Sequence, residues 1–365
     1  MGLVRFLLAL AVLLAHMPTS TVKFIHGGLA VQAFFVVSGF YMALVLDRKY
    51  SDTKLFYSNR LLRLAPAYFA MMLIAGVALF GFGLTVTSSP GIFEAVFTNP
   101  LSAAVMLFEN IFVIGQHWTY WFMIDEAGGL NFDPYGGMPT ETSAVAFQAL
   151  LVPQSWSLSL ELMFYAIAPW LAKRHLRTLL AIAGASIGLR FLGHLLPVEF
   201  PLWQGRLFVT VLFMFLFGML AYRAMPLVEK LPRAAHFAVL AALIALIVGM
   251  PQLGWSGDVQ SWLIYFGVAV GTPFAFCATR QWKTDRWIGE LSYPIYLTHL
   301  LVMAPVLIYE WPYPTWTTIV ITLALSAAIL QFIERPVDRW RQRRARGLVP
   351  ANDAGSIEEM APATP

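Results

Sequence analysis

Apolar runs of bilayer-spanning length recur along almost the whole chain, and most charged residues fall between them. A helix needs about 20 predominantly apolar residues to cross the hydrocarbon. Runs that meet or approach that length lie at 3–18, 29–46, 65–84, 156–172, 178–195, 206–222, 234–250, 260–279, 287–309 and 315–333. In lipid every backbone N–H and C=O must be bonded within the protein, so helices or closed barrels are the spanning options. Continuous runs of this length select helices. Only 12% of the 365 residues are charged, against about a quarter in a soluble domain. The expected fold is an all-α polytopic integral membrane protein of about ten transmembrane helices.

Charge sets the orientation. Arg48, Lys49, Lys54, Arg60 and Arg63 form one basic cluster; Lys173, Arg174 and Arg177 a second; Arg223, Lys230 and Arg233 a third; Arg280, Lys283 and Arg286 a fourth; residues 335–346 a fifth. Each follows every second run, which by the positive-inside rule puts all five clusters and both termini in the cytoplasm. The formal net charge of +4 is accounted for by these short loops, so a nucleic-acid partner is not expected. A lone cysteine, Cys277, excludes an intrachain disulfide framework and a Cys-x-x-Cys metal site, and no metal is expected. A signal peptide at the N-terminus is the lesser reading, because AHMPTS offers no A-x-A cleavage pattern. Residues 85–155 begin and end on the outer side. Within them, 101–115 reads as a re-entrant or interfacial helix holding Glu109 and Asn110, and 123–143 as an acidic loop structured by turns. Residues 1–340 read as one membrane domain and 341–365 as a basic, then disordered, tail.

Ionisable groups inside a membrane are expensive and face protein or water. Arg5 and His16 are eleven positions apart, close to three helical turns, so they share a face about 16 Å apart along the axis. Arg5 can instead snorkel to headgroups, and His16 can bond a neighbouring helix. Ser38 sits among Gly27, Gly28 and Gly39, where small residues allow close helix approach, and Gln32 within that run needs a partner. Arg60 and Arg63, at i and i+3, suit phosphate recognition or simple anchoring. Glu161 lies about a turn into its run and requires a polar neighbour. Tyr296 and His299 share a helix face. His26, His117, His175, His194 and His236 fall in loops or at run ends, where a solvated role is expected.

Together these segments resemble the membrane acyltransferase-3 family over residues 4 to about 340. Arg5 through His16 is similar to the family's Arg-x10-His pattern. GGLAVQAFFVVSGF, YSNRLLRLAPAYF, SWSLSLELMFY, GELSYPIYLTH and IERP resemble its later motifs, in the family order. Ala30, Gln32 and Thr298 depart from it, standing where the family often has Gly, Asp and Trp. The resemblance implies transfer of an acyl group, usually acetyl from cytoplasmic acetyl-CoA, to a hydroxyl of a surface or exported glycan such as a polysaccharide. The implied setting is the bacterial inner membrane, with no bound cofactor. On that resemblance His16, Arg5 and Glu161 are the expected catalytic residues, with His16 as general base or acyl relay. Arg60, Arg63, Arg48 and Lys49 would hold the donor phosphates, and Ser38, Trp156, Tyr296 and His299 would support the site. A small-molecule or lipid acceptor, or a flippase for lipid-linked sugars, is the alternative.

Overall fold

The computed structural model describes residues 1–48, 52–134, 143–195, 203–254 and 257–346. Each expected run is carried by a helix. The first five spans are α1 (Gly2–His16), α2 (Gly27–Arg48), α3 (Thr53–Phe82) and, after an outer segment holding α4 (Pro90–Thr98) and α5 (Pro100–Phe112), α6 (Trp156–Ala172) and α7 (Leu176–Leu195). A short α8 (Trp203–Arg206) leads into α9 (Phe208–Val228), α10 (Arg233–Gly249) and α11 (Gly257–Thr279). The ninth span is α12 (Lys283–Glu290) with α13 (Ser292–Ile308); the tenth is α14 (Pro314–Ile329), which passes through a π-helical turn, Leu330–Glu334, into α15 (Arg335–Arg346). Among the described residues eight helices are long and apolar enough to cross a membrane by themselves.

α1 and α6 are shorter, at 15 and 17 residues, or about 22 and 26 Å at 1.5 Å per residue. Both lie against protein. α1 packs on α2, α12 and α13, and α6 on α2, α3 and α9. The first turn of α1 is clamped by Asp285 of α12. Its carboxylate accepts from the Met1 amine at 2.8 Å, Gly2 N at 2.7 Å and Leu3 N at 2.8 Å. Those donors have no partner within a helix, and the helix dipole favours an anion there.

α2 is apolar on every face, as a helix at the centre of a bundle must be. It packs on α1, α6, α9 and α11. Phe215 of α9 stacks on Phe35 at 4.7 Å and on Phe164 of α6 at 4.3 Å between ring centroids. A Cβ at Gly39 would fall on the Phe215 carbonyl oxygen, and one at Gly218 on the Val36 carbonyl oxygen. The two backbones therefore touch, and only glycine permits it.

Residues 101–115 form no span: α5 has 13 residues, about 20 Å. Its polar pair turns inward. Asn110 Nδ2 donates to the Met106 and Ala149 carbonyls at 2.9 and 3.0 Å, and Leu151 N donates to Asn110 Oδ1 at 2.8 Å. Where the sequence suggested turns alone, β1 (Phe122–Ile124) pairs antiparallel with β2 (Leu130–Phe132) and β3 (Ala144–Val145) in the order β2-β1-β3. The β1–β2 connection closes because Gly128 takes φ +75° and Asp125 Oδ1 accepts from Ala127 N and Gly129 N. Residues 135–142 of that loop, Lys49 and the tail from Leu348 lie outside the described residues. The helix of α15 runs past residue 340, where the tail was expected to begin, to Arg346.

Leucine at Gly39 or at Gly218 forces α2 and α9 apart. Overpacking of this kind costs about 1–3 kcal/mol or more, so either variant is expected to lose its monodisperse peak in size-exclusion chromatography from mild detergent. Gly81→Leu, a site with nothing within 4 Å, should keep it.

Candidate functional site

A cavity of about 700 Å³ opens between α1, α2, α3, α6, α11, α12, α13 and α15 at the end of the bundle that carries the basic loops. It gathers Arg5, Ser38, Arg48, Arg60, Arg63, Glu161 and Tyr296, all singled out from the sequence, with Arg280, Arg286 and Arg341. Against seven arginines its walls carry four acids, Glu161, Asp285, Glu290 and Asp338. Several of these charges are already paired. Arg280 bonds Glu229 at 2.7 Å and Arg341 bonds Asp338 at 2.8 Å. Among the described residues no ion pair is formed by Arg5, Arg60 or Arg63. Arg5 lies 5.9 Å from the Tyr41 ring centroid and Arg60 5.9 Å from that of Phe56. Arg63 feels the charges of Asp338, Glu334 and Glu290. The cavity is thus a cationic site able to accept several phosphate oxygens.

Glu161 is bonded inside this cavity. Ser38 Oγ donates to Glu161 Oε1 at 2.6 Å and the Tyr165 hydroxyl donates to the same oxygen. No described hydrogen bond joins Glu161 to His16. Gln32 accepts from the Tyr265 hydroxyl in the core, and Thr298, also buried, bonds the Pro294 carbonyl at 2.9 Å.

At the far wall the Tyr296 hydroxyl donates to the Gln154 carbonyl. Its single proton is spent there, so at their 2.7 Å contact Ser157 Oγ is the donor. The Tyr296 ring centroid is 6.1 Å from that of His299, and His299 is 5.0 Å from His16. The opening helix thus delivers Arg5 to the cavity and His16 to a second cluster beyond it. His16 Nδ1 bonds the Val12 carbonyl at 2.8 Å and His299 Nδ1 the Tyr296 carbonyl at 2.8 Å. A carbonyl oxygen only accepts, so each neutral ring carries its proton on Nδ1 and a lone pair on Nε2. His299 Nε2 is buried without a hydrogen-bond partner.

Trp156 faces Arg206, whose guanidinium carbon lies 4.0 Å from its ring centroid and 3.3 Å from that of Tyr120. Sequence reasoning missed Arg206 and Tyr120. The available signal was a basic residue on the side opposite the basic loops. His117 is corrected as well: it is 2% exposed, not solvated. It lies in a 3₁₀ turn, Gln116–Trp121, and bonds Ser159 Oγ at 2.9 Å. His236 too is buried, and bonds the Val228 carbonyl at 2.9 Å. Burial lowers the His117 pKa to about 4, the nearby Arg206 charge adding to the effect. Burial also raises Glu109 to about 7. Its Oε2 is buried without a partner, so the neutral acid is the favoured form.

A family profile described as an acyltransferase domain matches residues 1–333. BcsY of Komagataeibacter xylinus, itself provisionally described as a membrane-bound transacylase, is 26% identical over 328 residues, covering 84% of this chain and 75% of that protein. No solved structure matches the chain.

The Glu109 shift has a testable sign. A folded pKa raised from 4.5 to about 7 gives stability that is full below pH 4.5 and is lost as pH rises through 7, by up to about 3 kcal/mol. The melting temperature in detergent is expected to fall between pH 5 and 8. In Glu109→Gln that slope should be absent; an equal slope in both proteins would reject the assignment.

Proposed function

The chain belongs to that acyltransferase family, and on that premise we propose that this multi-pass membrane acyltransferase moves an acetyl group from cytoplasmic acetyl-CoA to a hydroxyl of a surface or exported glycan in the bacterial inner membrane. The observation that carries the reading is the line from the arginine-rich cavity through Tyr296 to the His299–His16 pair. Donor phosphates bind at the basic end, where Arg5, Arg60 and Arg63 are unpaired by carboxylates among the described residues. Arg48 adds charge at the same end, and Lys49 follows it in sequence. The thin pantetheine arm then runs along α1 toward His16, about 16 Å from the level of Arg5.

His16 is the general base. Its Nδ1 is occupied by the Val12 carbonyl, so Nε2 is the atom that takes the acceptor's hydroxyl proton and later returns it to the departing thiolate. Glu161 acts from the donor side by holding Ser38 and Tyr165 in the cavity wall. Tyr296 and His299 stand between the two clusters, and Trp156 holds Arg206. Opposite entry of donor and acceptor suits a glycan better than a small cytoplasmic molecule. A lipid-linked acceptor is the second reading, favoured by the location of His16 at the outer end of its helix. Membership of an acyltransferase family sets the flippase alternative aside.

Two measurements test this. In the proton NMR spectrum of the host's surface glycans, the native chain is expected to give O-acetyl methyl signals that His16→Ala, at matched membrane abundance, reduces by about 10²-fold or more. A His16→Ala spectrum equal to the native one removes His16 from the chemistry. In membranes supplied with labelled acetyl-CoA, Arg60→Ala with Arg63→Ala should raise the donor KM at least about tenfold, since a hydrogen bond to a charged group contributes about 1.5–3 kcal/mol. An unchanged KM rejects the donor site.

A further inference from the structure

Arg206 closes α8 at the outer end of the bundle. Its guanidinium is clamped against Tyr120 and Trp156, 3.3 and 4.0 Å from their ring centroids. Such contacts hold a cation in place, and the Tyr120 hydroxyl also accepts a hydrogen bond from the guanidinium. Nη1 is buried with no hydrogen-bond partner. Among the described residues no carboxylate pairs with Arg206. Its charge reaches His16, and Tyr296 on the cavity wall is near enough to act on it. Arg206 therefore lies within electrostatic range of both the base and the Tyr296 wall of the donor cavity. An unpaired cation out of water is costly, and in a membrane protein such a group marks a functional site.

The reaction assigned above supplies the missing anion, and the inference rests on that reading. As the acceptor oxygen bonds to the thioester carbonyl carbon, its proton passes to His16 Nε2. The carbonyl π pair moves onto the carbonyl oxygen. When the intermediate collapses, that pair re-forms C=O, the C–S bond breaks, and the thiolate takes the proton from His16. Ester and free thiol are the products. We propose that Arg206 binds the oxyanion of this tetrahedral intermediate, its planar fork fixed in advance by the Tyr120 and Trp156 rings. A donor that is oriented but not neutralised in the resting protein is what selective stabilisation of a transition state requires. An acidic group on the acceptor is the competing ligand, and kinetics separate the two.

The full chain in nanodiscs, supplied with acetyl-CoA and the host glycan fraction, gives the test. Arg206→Gln is expected to lower kcat by about 10²–10³-fold while both KM values stay within about threefold, the sign of an interaction made only in the transition state. Arg206→Lys, which keeps charge but loses the fork, should lose less, and carries the test if the glutamine variant fails to fold. Acetonyl-CoA, a ketone analogue with no leaving sulfur, should bind Arg206→Gln as it binds the native protein. Glu199→Gln, at an acid outside the described residues, should leave kcat unchanged. An Arg206→Gln with native kcat overturns the proposal, as does a raised acceptor KM with kcat preserved, which would mark an acceptor anion. Equal losses in Arg206→Gln and Glu199→Gln, with no further loss in the double variant, would overturn it in favour of an ion pair. If the native protein itself transfers no acetyl from acetyl-CoA, the parent reading falls and takes this one with it. If it does, and Arg206→Gln matches it, Arg206 alone is at fault.

Discussion

Three donors at the start of α1 converge on one carboxylate. The Met1 amine, Gly2 N and Leu3 N all meet Asp285 within 2.7–2.8 Å. This clamp fixes how far α1 slides along its neighbours. A helix free to slip by one turn would move every side chain by about 5.4 Å. Both ends of the candidate site hang on that register. Arg5 enters the cavity one turn after the clamp, and His16 meets His299 about three turns later. Gly2 and Gly289 serve the same contact, since a Cβ on Gly2 would collide with the Asp285 carbonyl.

The remaining architecture follows from where charge is tolerated. Burying an ion in a low-dielectric interior costs several kcal/mol unless it is paired or reached by water. Seven arginines accordingly share one large cavity at the basic end. Tyr296, Ser157 and Gln154 close its far wall with hydrogen bonds that satisfy one another. Beyond that wall lie the paired rings of His16 and His299 and the arginine held between Tyr120 and Trp156. The first helix thus carries Arg5 into the basic cavity and His16 to the histidine pair.

The outer segment shows how far a sequence reading goes. Glu109 and Asn110 marked 101–115 as unfit for a lone span, and α5 is indeed too short to cross. Their partners were not legible. Asn110 bonds backbone at Ala149 and Leu151, about forty residues away, and Gln116 bonds Tyr68, Glu109 and Ser155. His117 was expected to be solvated because it falls outside the apolar runs, yet the fold buries it against Ser159. Arg206 opens the run at 206–222 and drew no reading of its own. In each case the group that decides the residue's role came from another part of the chain.

The sequence by itself determined the number of spans, their alternation between basic and non-basic ends, and the shared face of Arg5 and His16. These are local consequences of hydrocarbon thickness, loop charge and helical period, and each acts within a window of about 20 residues. Only the tertiary structure decided that Glu161 answers to Ser38 and Tyr165, that His16 stands against His299, and that Arg206 lies clamped beside them. Those pairs are separated by up to 283 positions in the chain (His16 and His299). They meet because glycines let helix backbones touch and because buried polar groups must find one another; the sequence marks such residues but not which distant segment supplies the partner.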